Sequence, residues 1–152
     1  MKYLFSLLIL CASYQVQAQS ADEKGVKTVI DQLFTAMRTG DTALLAASFA
    51  PAAMMQTIVQ KNDGSVVVRT DAVSGFVTSV GKPHPDVYDE RISYEAIHID
   101  GNLAAAWTPY QFYIGSKFSH CGVNSFQLVK ISGEWKIQYI IDTRRKENCI
   151  VK

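Results

Sequence analysis

The sequence predicts an α+β domain whose helices are segregated on one face of a curved antiparallel sheet. Three observations carry the prediction. Apolar residues recur at helical spacing early in the chain. From Val87 onward the pattern switches to period two and stays there. The later segments are separated by short Gly-, Asn- and Ser-containing turns that suit hairpins rather than crossovers.

The chain opens with what reads as a leader. Lys2 supplies a positive charge, Tyr3 to Ala12 form an apolar run, and Val16-Gln17-Ala18 presents small residues where a signal peptidase would cut. Cleavage is expected after Ala18, leaving residues 19–152 as a single domain without a linker or internal repeat. Two alternatives stand beside this reading. A retained membrane anchor would need roughly twenty apolar residues, and this run has about ten. Lipoprotein processing at Cys11 would need a small residue before it, where Leu10 stands.

In the mature part, Val26, Val29, Ile30, Leu33, Phe34 and Met37 fall at i, i+3, i+4, i+7 spacing and predict a helix over residues 22–38. Gly40 stops it and Asp41 caps a second, short helix over residues 42–49, which Pro51 prevents from continuing. A strand over residues 54–59, the turn Asn62-Asp63-Gly64-Ser65 and a return strand over residues 66–69 form a hairpin. Asp71 is expected to cap a third helix, with Val73, Phe76, Val77 and Val80 on one face, ended by Gly81 and Pro83-His84-Pro85. Strands over residues 89–99, 103–114, 118–131 and 134–142 complete a meander.

Composition narrows the partners. A formal net charge of +1, with Lys and Arg scattered along the chain, leaves no electrostatic footprint for nucleic acid or an anionic membrane. Once the leader and its Cys11 are set aside, Cys121 and Cys149 are the only cysteines. In an oxidising compartment a bond between them would close a loop of about 27 residues and contribute roughly 3 to 4 kcal/mol; two independent thiols are the alternative.

The order of these elements, the Thr39-Gly40-Asp41 junction, the Asp100-Gly101-Asn102-Leu103-Ala104 hairpin and the ending Phe126-Gln127-Leu128-Val129-Lys130 to Gly133-Glu134-Trp135-Lys136-Ile137 resemble the nuclear transport factor 2-like superfamily. Within it the chain is most similar to the exported bacterial branch called SnoaL-like or lumazine-binding, over essentially the whole mature length. The resemblance implies a cone, also called cystatin-like, in which a bent sheet wraps around the first helix and leaves a pocket at its open end. It does not settle the activity, because one such fold hosts ketosteroid isomerases, dehydratases, polyketide cyclases, transport factors and many members of no known activity.

Candidate functional residues concentrate in the last forty positions. Asp142 and His120 are the candidate acid–base residues. In regular alternation Asp142 shares a face with Lys136 and Gln138, which points it to solvent and to a pair with Arg144 or Arg145, unless the strand bulges first. Glu90 and Glu95 read as solvated. Adjacent strand residues face opposite ways, so His120 and Cys121 diverge, and with no second histidine at ligand spacing they are weak signals for a catalytic pair or a metal site; a Cys121 nucleophile stands only as the alternative to a bond with Cys149, and His84 and His98 read as loop and surface residues. Aromatic residues on successive strands are the best signal for a ligand. The expected binding set is Trp107, Tyr110, Phe112, His120 and Phe126, with Arg144 available to an anionic group or to a clasp around Cys149. Pro109 in mid-strand suggests a bulge or an edge beside Tyr110.

The expected function is an exported protein that binds a small molecule inside the cone, with no cofactor or metal, and that dimerises through the exposed face of its sheet. An enzyme of the isomerase, dehydratase or cyclase kind is the alternative, and a protein-interaction module a further one.

Overall fold

The computed structural model describes residues 2–61 and 63–150, with side chains described from residue 21 onward; the expected leader therefore lies outside the residues whose side chains are described, as does Asn62 of the expected turn. Helix α1 (Lys2–Thr39) carries the apolar stripe inward: Val26, Ile30, Leu33 and Phe34 are all at most 4% exposed. Gly40, in the left-handed region at φ +70°, ends the helix. The Asp41 carboxylate then accepts the Leu44 N–H at 2.9 Å and starts α2 (Thr42–Ala47).

The sheet has seven strands in the order β2-β1-β7-β6-β5-β3, with β4 beside β3 on the same edge of β5. They are β1 (Phe49–Gln60), β2 (Val66–Ala72), β3 (Tyr88–Ile92), β4 (Ala96–Asp100), β5 (Leu103–Ile114), β6 (Lys117–Ile131) and β7 (Glu134–Thr143), with α3 (Val73–Gly81) inserted between β2 and β3. The core lies between the concave face and α1; Phe34 meets Phe126 edge-on, centroids 6.3 Å apart. The Tyr94 hydroxyl, on the β3–β4 link, donates to the Asp31 carboxylate at 2.8 Å and holds the edge strands against α1.

Four details depart from the sequence reading. Helix α2 ends at Ala47, because Phe49 and Ala50 are buried and already strand, and the Ser48 carbonyl accepts Ile137 N–H at 2.9 Å. That contact begins a parallel pairing of β1 with β7, interrupted between Phe49 and Met54, where Pro51 lacks a donor and Ala52 sits at φ 58°. Asp71 does not cap α3. It lies in β2, opposite Met55, paired with Arg69 at 2.9 Å, and α3 starts after Ala72 without a side-chain cap. Finally, the strand expected over residues 89–99 is two strands, broken opposite Pro109. The Pro109 carbonyl accepts Ser93 N–H on that side, so the missing proline N–H faces the same edge and leaves a gap in the ladder. Among the described residues no helix is long and apolar enough to cross a membrane.

Candidate functional site

Between α1, α3 and the concave face lies a cavity of about 550 Å³. Its floor is apolar, built from Leu33, Phe34 and Met37 of α1 with Phe126 and Ile140 of the sheet. Its wall is polar, with Glu90, His120, Asn124, Asp142 and Arg144 converging from three strands and the segment after β7. Arg69, Gly75 and Ser79 stand exposed at the rim.

Asp142 reaches this wall through a bulge. Ile137 pairs with Leu128 but Tyr139 pairs with Gln127, so Gln138 is an extra residue in β7. One added residue reverses the alternation beyond it. Ile140 and Asp142 therefore join the face of Trp135 and Ile137, and Asp142 is 8% exposed rather than solvated. Its carboxylate accepts Arg144 Nε at 2.8 Å, the pair expected from sequence but formed inside the site, and Arg144 Nη2 donates to Thr57 Oγ1 at 3.3 Å.

Glu90 is the residue that sequence reasoning missed. On β3, Tyr88, Glu90 and Ile92 share one face, and Glu90 stands opposite Phe112 over the cavity, while Asp89 and Arg91 point outward as an ion pair. Alternating charged and apolar residues looked like a solvated edge. The cue available was that Glu90 falls in phase with Tyr88 and Ile92. Asn124 Nδ2 donates to Glu90 Oε1 at 2.8 Å. Burial raises the Glu90 carboxyl from 4.5 to about 7; the Asn124 hydrogen bond opposes the shift, and the Asp142 charge adds to it against Arg144.

His120 lines the cavity on β6 and meets the rings of Tyr110 and Phe112, at 5.8 Å and 5.1 Å between centroids. Burial, then the nearby Arg144 charge, lowers its pKa, so its imidazole is neutral at physiological pH. Cys121 diverges from it as expected and is bonded to Cys149, 28 positions on, with the Cα atoms 5.7 Å apart. The backbone of Cys121 also exchanges two hydrogen bonds with Arg145, both 2.8 Å. Together these fasten the segment that carries Arg144. Arg145 itself turns away and donates to the Asn148 carbonyl.

Phe112 and Phe126, named from sequence, line the cavity; Tyr110 and Trp107 do not. Tyr110 is 2% exposed behind the wall, and its hydroxyl donates to the Thr143 carbonyl at 2.9 Å and, more weakly, to Asp142 at 3.3 Å. Burial first, then the Glu90 and Asp142 charges, raises its pKa, so the phenol stays a donor. Gly122, opposite Tyr110, is required by this crossing: a Cβ there would lie 1.8 Å from the Thr143 carbonyl oxygen. Trp107, 47% exposed, is on the convex face, opposite in phase to Ala106 and Thr108. Thr108, fully buried and opposite Asn124, leaves its hydroxyl without a hydrogen-bond partner. Among the described residues no three His, Cys, Asp or Glu side chains converge as a metal ion would require.

With this geometry in place, the comparisons with known proteins are specific about family. The sequence from residue 21 to residue 139 matches the family model described as "Putative lumazine-binding". The chain belongs to that family. Solved structures place this chain in the nuclear transport factor 2-like, cystatin-like fold. It is similar to a conserved protein from Planctomyces limnophilus (TM-score 0.67, 16% identity, covering 83% of this chain and 98% of that one). A nuclear transport factor 2-like protein of unknown function from Silicibacter pomeroyi gives TM-score 0.66 at 14% identity, covering 84% and 98%. A domain with a cystatin-like fold from Nostoc punctiforme gives 0.63 at 15%, covering 84% and 80%. At such identities these likenesses establish the fold alone. No curated protein matches the sequence.

Proposed function

We propose that this protein binds a small, partly apolar molecule inside the cone. The observation that carries the reading is the cavity of about 550 Å³ with an apolar floor and a polar wall, the combination that buries a ring system and orients it through a few hydrogen bonds. The family description supports ligand binding of this general kind. Export fits the Cys121–Cys149 bond and the leader-like first eighteen residues. Dimerisation through the convex face would cover the exposed Trp107, Leu103 and Ile131. The test is thermal stabilisation across a metabolite panel that includes lumazine. At least one member is expected to raise Tm in a concentration-dependent way, and Phe112→Ala to weaken that effect. No shift with any member of a broad panel would overturn the proposal.

A second reading, an acid–base enzyme, is favoured by Glu90. A carboxyl with a pKa of about 7 in a cavity can both give and take a proton at neutral pH. Glu90 rather than Asp142 would hold that role, because Asp142 is engaged by Arg144. Incubating the binding compounds with the protein and following product masses tests this; turnover should appear and should vanish in Glu90→Gln. Unchanged compounds after long incubation would exclude it for that panel.

A further inference from the structure

The cavity wall has more negative than positive charge to offer a guest, and the surplus is located at one residue. Arg144 extends from the segment after β7 and is already engaged by Asp142 and Thr57. His120, on β6, is neutral. At the rim, Arg69 and Asp71 of β2 satisfy each other. From α1, among the described residues, only the apolar side chains of Leu33, Phe34 and Met37 face the cavity. Among the described residues Glu90 is left with an amide, Asn124, as its hydrogen-bond donor and with no basic side chain bonded to it.

The surroundings of Glu90 suit one kind of guest. Tyr88, two residues away on the same face and stacked on His84 at 4.1 Å, and Phe112, directly opposite, put two aromatic rings beside it, their centroids 6.0 Å apart. Aromatic faces attract cations and repel anions. We propose that the cavity takes a compact organic cation, an ammonium or amidinium group on an apolar or aromatic body, with its charge against the Glu90 carboxylate and its body on the floor formed by Phe34 and Phe126. This rests on the binding reading above and specifies its ligand class. Burial holds Glu90 partly protonated at neutral pH. A cation would restore the ionised form, so binding below neutral pH expels a proton. An anion would instead face the unpaired charge of Glu90, since Asp142 and Arg144 already neutralise each other.

Three probes of one shape separate the possibilities: 1-naphthylmethylammonium, 1-naphthylmethanol and 1-naphthoate, titrated calorimetrically into the whole oxidised protein at pH 6 and pH 8, in two buffers of different ionisation enthalpy. The ammonium is expected to bind more tightly than the alcohol by about tenfold or more at pH 8, the size of one charge-assisted hydrogen bond. At pH 6 it should release about one proton per ligand, and at pH 8 almost none. Glu90→Gln should bind ammonium and alcohol alike. If that variant does not fold, proton release in the wild type decides. Equal or tighter binding of the alcohol or the carboxylate would overturn the charge preference while leaving the cavity a binding site. A preference that survives Glu90→Gln would remove Glu90 from the site. Binding by none of the three would overturn the binding reading itself.

Discussion

Replacing Glu90 by Gln should stabilise the protein, and only above mildly acidic pH. Gln keeps the oxygen that accepts Asn124 Nδ2 and nearly the same shape, so the substitution removes chiefly the charge. Because the folded carboxyl titrates at about 7 rather than 4.5, the folded state binds its proton more tightly than the unfolded state does. Stability from this group is therefore fully present below about pH 4.5 and is lost as pH rises through 7. At about 1.4 kcal/mol for each pH unit across that window, the loss is up to about 3 kcal/mol. Glu90→Gln should accordingly match wild type near pH 4.5 and exceed it by up to about 3 kcal/mol at pH 8, a Tm rise on the order of 10 °C for a domain of this size. Urea denaturation of both proteins at four pH values between 4.5 and 8.5 measures the difference directly. A difference that does not change with pH, or a Glu90→Gln protein weaker than wild type at pH 8, would show that Glu90 is solvated and ionised, and would remove the basis for its role in the site.

Other perturbations read other parts of the wall. Gly122→Ala puts a methyl group 1.8 Å from the Thr143 carbonyl oxygen and 2.8 Å from Tyr110 Cε1, so the segment bearing Arg144 must shift. A loss of about 2–3 kcal/mol is expected in chemical denaturation, with weaker binding of any cavity ligand; an alanine protein of unchanged midpoint would mean that the segment does not lie where it is placed. Complete reduction of the Cys121–Cys149 bond should lower stability by about 3–4 kcal/mol, seen as a drop in urea midpoint between oxidised and reduced samples. Coincident curves would argue that the bond constrains nothing. Thr108→Val replaces a buried hydroxyl that has no partner with a methyl group of similar size, and should gain about 1 kcal/mol. A clear loss would reveal a hydrogen bond, to water or to Asn124, that the hydroxyl makes in solution.

Sequence by itself determined the local elements and with them the fold class. The α1 stripe was legible because helical periodicity depends only on which residues are apolar, and all six of its positions from Val26 to Met37 are buried, with Ala36 joining them. The Gly40–Asp41 junction and the strands from Leu103 onward were legible for a related reason, since turn and cap chemistry act within a few residues. Divergence of His120 from Cys121 followed from strand alternation alone. The polar wall was decided elsewhere. Asp142 faces the cavity because Gln138 is left out of the ladder when its neighbours Ile137 and Tyr139 pair with Leu128 and Gln127, and neither a glycine nor a proline marks the place. Glu90 is a cavity residue because β3 pairs with β5 in the register that sets it over Phe112, and β1 runs parallel to β7 because Ser48 and Phe49 dock beside Ile137. A side chain's face depends on cross-strand register and its pKa on what surrounds it, and both are properties of residues distant in sequence that only the folded sheet brings together.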